Sequence, residues 1–375
     1  MPTAGGGTGR RFDALGSAVA PVIWSAWRLN RTPLLVSLVF IAILIVSALT
    51  AGMYVPDYPQ ISWSFSRMCS RWNDVGPCRP ETALTLSTLF ALLLPLLLGM
   101  FVGVPTFARE VEPRTHVLSL TQAGSRIQWY LARIVVVFLP ISVAMTCLGL
   151  ALNWATGLSR DSSSADYGPS VSFSWFDFPH FETAGVVLGA YALLMLLIGS
   201  TLALTFRSGV MSMLATLFIF LFFVPVAFTW IAREHYGTPN VVSEAINGLD
   251  RESEYHPNPY YTDDGTWVVG AGYVDAAGDR VRPETEGCAT PYSDDYLKRQ
   301  DGESDEQLRA RTQDEYRTRA SQFDECLRDQ GVDRYDVRFF SEDSFWRFQA
   351  IETGLMLGFS GAVGGLGLWR VRRLD

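Results

Sequence analysis

LLVSLVFIAILIVSALTAGMYV, residues 34–55, runs for 22 positions without a charged side chain. A helix of that length rises about 33 Å, enough to cross a hydrocarbon core of about 30 Å. Five more stretches of the same kind follow, at 83–107, 134–157, 184–206, 210–231 and 348–369. In lipid only intrasegment hydrogen bonds satisfy the backbone, so each is expected to be a helix. The spacing predicts an all-α polytopic membrane protein with six transmembrane helices and excludes a soluble enzyme.

One long polar block, 233–345, separates the fifth span from the sixth. It holds 26 Asp or Glu against 13 Arg or Lys, so the net charge of −8 originates there and the rest of the 375-residue chain is basic. Basic residues in short connections stay on the cytoplasmic side. The N-terminal segment, the second and fourth connections and the C-terminal tail carry twelve arginines between them, and the first and third connections carry four. Both termini are therefore expected in the cytoplasm, with the acidic block outside. A single lysine, Lys298, against 29 arginines is the usage of a high-GC bacterial genome, which makes the membrane a bacterial plasma membrane. No basic surface suited to nucleic acid remains. The expected organisation is a cytoplasmic segment with an interfacial helix at 1–32, five helices with a cytoplasmic loop at 108–130 in 33–232, an extracytoplasmic domain at 233–345, and the sixth helix with a basic tail at 346–375.

Disulfides persist on the oxidising side of a membrane, so cysteine placement tests this topology. Cys69 and Cys78 fall in the first outer loop, Cys288 and Cys326 in the outer block, and Cys147 inside the third span. Two local links, Cys69 with Cys78 and Cys288 with Cys326, are the economical pairing, although spacing alone leaves other pairings open. No metal site is expected, because no CxxC occurs and His116, His180, His235 and His256 are scattered. Arg10 and Arg11 precede the apolar run by some twenty residues, so the first helix is read as an uncleaved span.

Segment 17–30 mixes Trp24, Trp27 and Ile23 with Arg28 and is expected to lie along the interface, with Pro33 breaking it from the first span. In VSFSWFDFPHFET, 171–183, aromatic residues beside Asp177 and Glu182 suit a belt at the headgroup level. Within the outer block, 267–275 has strand composition and Ala-Ala-Gly-Asp supplies a turn before 280–282, so a hairpin is expected. A helix follows, capped by Ser304 with Gln307 three residues on, striped by Leu308, Thr312, Tyr316, Ala320, Phe323 and Leu327, and stopped at Gly331. An α+β outer domain containing a disulfide results.

The second connection, AREVEPRTHVLSLTQAGSRIQW, is too long and too patterned for a simple turn. Gly103 and Pro105 end the second span, Ala108 to Glu110 and Glu112 follow, then Thr115 and His116, Thr121 and Gln122, and finally Arg126 and Trp129. At the last span Phe345, Trp346, Phe348 and Gln349 precede Ile351 to Gly354, and Trp369 opens a basic tail. In both blocks the chain resembles the permease subunits of actinobacterial type-2 ABC exporters, departing at Arg114, where that family has Gly, and Leu120, where it has Trp. The resemblance implies a permease without its own motor, paired with a second copy or a related permease and driven by a separate ATPase subunit that binds ATP and Mg. No GxxxxGK[ST] loop occurs in the chain, so no nucleotide cofactor is expected here. It further implies that Arg109, Glu110, Glu112, Thr115, His116, Thr121, Gln122 and Arg126 form the ATPase-coupling region. The expected cargo is an amphiphilic or drug-like small molecule.

Glu352 is the one acidic residue set well inside a span, and a charge there needs a partner or water. With Gln349 one turn away it is a candidate for the transport pathway; an interfacial position or a pair with Arg347 is the plainer alternative. Gly354, Gly358, Gly361 and Gly365 repeat on the same helix and would admit another backbone, within the bundle or across a dimer seam. Pro95, Pro140 and Pro225 are expected to kink their helices. Two other functions compete: a membrane sensor or scaffold with a ligand-binding outer domain, and a polytopic membrane enzyme. The second lacks HExxH, GxSxG and paired intramembrane aspartates.

Overall fold

A computed structural model of the chain describes residues 9–54, 78–111, 125–163, 174–176, 178–222, 233–246, 266–288 and 303–373. Cys69, Glu112, Arg114, Thr115, His116, Leu120, Thr121, Gln122 and Pro225 lie outside them. The chain forms two compact units, one of Met1–Ser170, Trp175–Tyr236 and Asp343–Asp375, the other of Val171–Ser174 and Gly237–Glu342.

The first unit is helical. Its elements are α1 (Gly9–Tyr54), α2 (Cys78–Leu98), a π-helical turn (Gly99–Gly103), α3 (Val104–Val111), α4 (Arg126–Arg133), a second π-helical turn (Ile134–Phe138), α5 (Leu139–Ser163), the short α6 (His180–Thr183), α7 (Val187–Phe206), α8 (Gly209–Phe222) and α11 (Phe345–Arg372). Among the described residues five segments are long and apolar enough to cross a membrane: Val22–Tyr54, Thr82–Glu110, Arg126–Leu158, Val187–Phe206 and Glu342–Arg372. The described part of the expected fifth span, α8, has 14 residues.

The break expected at Pro33 does not occur, since α1 passes through it. A proline removes one backbone donor, and side chains in the adjoining turns add bonds of their own: Asn30 Nδ2 donates to Ala26 O at 3.0 Å and Ser37 Oγ to Pro33 O at 2.8 Å. One face of α1 buries Ala26, Asn30, Leu34, Ile41, Leu44 and Ala48, while the opposite face leaves Val36, Val39, Ile43 and Val46 exposed. Apolar residues on both faces suit a helix with protein on one side and lipid on the other.

In each of the next two spans a proline follows a π-helical turn. Each π turn ends two residues before a proline, Pro105 in one case and Pro140 in the other. A proline ring presses on the carbonyl four residues back, here Phe101 and Val136, each at the middle of its π turn. The wider loops are closed by Val104 N–H to Gly99 O and Leu139 N–H to Ile134 O. Pro95 lies within the continuous helix α2.

α7 is the central helix, packed against α11, α5, α2, α3, α8 and the first π turn. Glycines let the backbones meet. A Cβ on Gly103 would lie 2.6 Å from Leu196 O, one on Gly99 2.8 Å from Met195 O, and one on Gly199 would collide with Gly99 O. The repeated glycines of α11 behave otherwise: a Cβ on Gly354, Gly358, Gly361 or Gly365 would meet nothing within 4 Å. Among the described residues they pack against no other helix, which corrects their reading as a bundle contact.

The second unit is α+β. Strands β1 (Asn240–Ala245), β2 (Trp267–Val274) and β3 (Arg334–Phe340) form an antiparallel sheet in the order β1-β3-β2. The expected hairpin is reduced to one bridge, Val274 to Arg280, and the main partner of β2 is β3, which no sequence signal had suggested. Asp275 turns the chain by accepting from the amides of Ala277 and Asp279. The helix α10 (Asp305–Asp329) carries the expected capping box of Ser304 and Gln307 and stops at Gly331, whose φ is +84°. A disulfide joins Cys288, on the short α9 (Thr285–Cys288), to Cys326 on α10. Leu327 joins Ile246, Cys288 and Val332 in the core of this unit, whereas Leu308 and Thr312 are only half-buried.

Gly199→Val should lower the thermal midpoint in detergent through overpacking of about 1–3 kcal/mol. Gly358→Val should leave it unchanged. Melting by fluorescence-detected size exclusion compares the two, and equal behaviour would contradict the packing described.

Candidate functional site

Among the described residues two arginines are buried in the helical unit, Arg233 and Arg133. Arg233 begins a 3-10 turn (Arg233–His235) and is 1% exposed. Its Nη2 lies 2.8 Å from Glu182 Oε1 and 3.5 Å from Glu352 Oε1, and its Nη1 donates to Phe176 O at 3.3 Å. The guanidinium stacks 3.9 Å from the centroid of Phe181. Tyr191, on α7, donates its hydroxyl to Glu352 Oε1 at 2.5 Å. Gln349 spans the same region, accepting from Val187 N–H at 3.1 Å and donating to Phe181 O at 2.9 Å.

The described residues of 175–186 thus pack inside the unit rather than forming the expected headgroup belt. Trp175, Phe176 and Phe181 are buried, and only Phe178 among its described aromatics is exposed. Phe176 meets Phe348 edge-on at 5.2 Å, and Trp175 and Phe181 lie 5.6 and 5.7 Å from Phe345. The aromatic pair at the start of α11 therefore serves as the counter-surface that holds Glu182 and His180 in place.

Charge at this cluster is uneven, with two carboxylates around one guanidinium. Burial pulls the Arg233 pKa down, but Glu182 and Glu352 more than offset it and hold it above the ordinary value. Burial pushes His180 down to about 3, so it is neutral at physiological pH. Burial, reinforced by Glu352, raises Tyr236 above the usual phenol range. Glu352 is fully buried and engages Tyr191 and Arg233, not Arg347, which is exposed and lies 5.7 Å from the Phe348 ring centroid. Arg233, Glu182 and Tyr191 escaped the sequence reading, which placed Arg233 at the start of the polar block. The usable signal was the requirement that Glu352 have a partner, with Arg233 the first cation after the fifth apolar run.

At the other end Arg133, 2% exposed, pairs with Glu110 and donates to Thr106 O at 2.7 Å. Its guanidinium lies 4.3 Å from the Trp129 ring centroid and 5.4 Å from that of Phe107. The pair joins the end of α3 beside connection 112–124 to the far end of α4. Ser125 caps α4 by accepting from Gln128 N–H at 3.1 Å. Of the eight expected coupling residues, Arg109, Glu110 and Arg126 are described: Arg109 is exposed, Glu110 is held by Arg133, and Arg126 donates to Arg372 O at 3.2 Å. Among the described residues no three His, Cys, Asp or Glu side chains converge in a metal-binding arrangement.

Arg233→Met removes the counter-charge from two buried carboxylates and should cost about 3–5 kcal/mol. Adding Glu182→Gln and Glu352→Gln should recover much of that loss, because amides are cheaper to bury than carboxylates. Denaturation of the single and triple variants in lipid nanodiscs measures the recovery; strictly additive losses would rule out charge pairing as the source.

The profile of the family described as ABC-2 membrane transporter related matches residues 34–233. That is more than half of the chain, and the match ends on Arg233, the residue that closes the buried cluster. No curated protein and no solved structure matches the chain. With five membrane-length apolar segments and this match, the chain belongs to the ABC-2 membrane transporter related family, as a multi-pass permease component of an ABC transporter.

Proposed function

We propose that this chain is the permease of an ATP-driven exporter of amphiphilic small molecules, with a separate ATPase docking on connection 112–124. The observation that carries this reading is the Glu110–Arg133 pair, which fastens to each other α3 and α4, the helices on either side of that connection. A docking element that receives force needs such a stem, because an unfastened loop absorbs displacement instead of transmitting it. Arg109 and Arg126 flank the stem, and charges at such an interface set register and partner choice.

In this reading the chain crosses the plasma membrane six times, the five membrane-length segments being joined by one further crossing, the fifth in chain order, to which α8 belongs. Both termini and the connection 112–124 face the cytoplasm, which the arginine distribution supports. The α+β unit, Gly237–Glu342 with Val171–Ser174, faces outward, where its Cys288–Cys326 link is chemically at home. Cys69 and Cys78 form the second link. Glu352 with Arg233 and Glu182 closes the outer end of the pathway. Gln349 positions that closure by bonding the backbone on both sides of the bend between α6 and α7. Two copies of this chain, or one with a related permease, assemble with two ATPases. The exposed glycine face of α11, with Gly354, Gly358, Gly361 and Gly365, is available for that seam.

Affinity isolation of the tagged chain from native membranes in mild detergent tests this directly. A polypeptide with a phosphate-binding loop and vanadate-sensitive ATP hydrolysis should co-purify. Glu112→Lys should cut its recovery about tenfold, equivalent to about 1.4 kcal/mol, with insertion unchanged. Wild-type chain that yields no ATPase would overturn the reading.

A further inference from the structure

α4 is fastened on two sides. Through Arg133 it is tied to α3, and three residues earlier Tyr130 ties it to α11. Tyr130 is 1% exposed, and its hydroxyl donates to Gly364 O at 3.2 Å. The phenol occupies a notch that exists because residue 367 has no side chain. A Cβ there would collide with Tyr130 Oη and lie 2.9 Å from Thr201 Oγ1 and 3.0 Å from Tyr130 Cζ. Thr201, on α7, donates to the neighbouring carbonyl of Val363 at 3.2 Å. A carbonyl oxygen has two lone pairs, so these bonds need not displace the bonds within α11. Arg126 adds a third tie, to the last turn of α11.

The notch differs from the other glycine positions of α11. Gly354, Gly358, Gly361 and Gly365 face open space and Gly364 makes an ordinary contact with Leu197, but Gly367 is filled by a side chain from another helix. α11 itself runs without interruption for 28 residues and contains no proline. Glu352 lies fifteen positions before Gly367, about 22 Å along the axis at 1.5 Å per residue. A displacement applied at the notch therefore reaches the Glu352 cluster as movement of one rigid rod. The alternative routes through the second and third spans each pass a π turn, Gly99–Gly103 in one and Ile134–Phe138 in the other, and π turns are places where helices bend.

We propose that Tyr130, seated in the Gly367 notch, is the positioning residue that carries movement of the α3–α4 stem to α11 and so to Glu352. Its biological role rests on the reading of 112–124 as the ATPase dock, but the mechanical tie does not. Spatial intermediacy alone is weak warrant for such a path, so the test measures coupling.

The tie is tested in the full chain without any ATPase. Bioorthogonal spin labels replace Leu131 on α4 and Leu366 on α11, both exposed, in lipid nanodiscs. Wild-type background should give one narrow distance. Tyr130→Phe, which keeps the ring and removes the donor, and Gly367→Ala, which evicts the phenol, should broaden or shift it, while Gly365→Ala should not. Distributions that coincide in Tyr130→Phe and wild type would overturn the tie, whether or not Gly367→Ala folds. Transmission is then read in the co-purified complex, with labels at Met53 and Leu355 near the other end. Trapping with vanadate should shift the wild-type distance, and Tyr130→Phe should lose that shift while ATP hydrolysis and complex recovery stay within about twofold, a difference below 0.5 kcal/mol. A merely structural role would lower hydrolysis and recovery together and leave any remaining shift intact, which overturns the proposal. Failure of the wild-type complex to form would condemn the docking reading, and the first distance measurement would still decide the tie.

Discussion

A charge left alone in hydrocarbon is prohibitively costly, and the helical unit is arranged around two arginines that are not left alone. Arg133 and Arg233 are solvated in the same way. Each has a carboxylate on one edge, a backbone carbonyl on another and an aromatic ring against its face. The planar guanidinium suits this, since its donors lie in the plane and its faces remain free to stack. Each arginine bonds residues distant from it in sequence and so draws separate parts of the chain together. Around Arg233 these parts are the described residues of 175–186 and α11, and Tyr191 of α7 joins them through Glu352. Around Arg133 they are α3 and α4.

Between those two ends the bundle is held by close backbone contact. Without a hydrophobic driving force between helices in lipid, packing has to come from shape, and small residues give it. Gly99 and Gly103 against α7, Gly149 and Gly189 between α5 and the start of α7, and Gly367 beneath Tyr130 each sit where a methyl group would strike a neighbour. The glycines that looked most regular in sequence are the ones that face away. A repeat records that a helix can be approached; it does not record by what.

The same limit explains which features could be read beforehand. Local signals held: the capping box at Ser304 and Gln307, the stop at Gly331 and the link between Cys288 and Cys326. Burial within the membrane did not, because lipid and protein interior are both apolar. Val22–Tyr54 has a mean hydropathy of 2.8 and is 28% buried, while Val187–Phe206 has 2.2 and is 78% buried. Hydropathy alone therefore ranks the peripheral helix above the central one. The buried cluster was half visible: Glu352 announced that it needed a partner, but Arg233 lies 119 positions away and was hidden at a domain boundary. The aromatic segment was misplaced because Trp and Phe suit a headgroup belt and a packed nest equally well, and the choice between them lies with Phe345 and Phe348. The proline at residue 33 broke nothing, whereas Pro105 and Pro140 widened the turns before them, a difference that depends on whether the preceding carbonyl can be pushed aside.

Stiffness is distributed along the chain in a pattern that suits its family. α11 is uninterrupted and α4 is pinned on two sides, so both move as bodies. The second and third spans carry a π turn each, one ending seven residues before Glu110 and the other starting directly after Arg133. A bundle built only of rigid, glycine-locked helices could not change shape, and one with compliant turns everywhere would dissipate any displacement locally. Placing the compliant turns beyond the stem lets the stem tilt without tearing α7 from its glycine contacts. The uninterrupted helix is left as the member along which that tilt travels. The polar cluster at its far end lies where such a tilt arrives, and any change in the separation of its two carboxylates and one guanidinium changes their Coulomb energy.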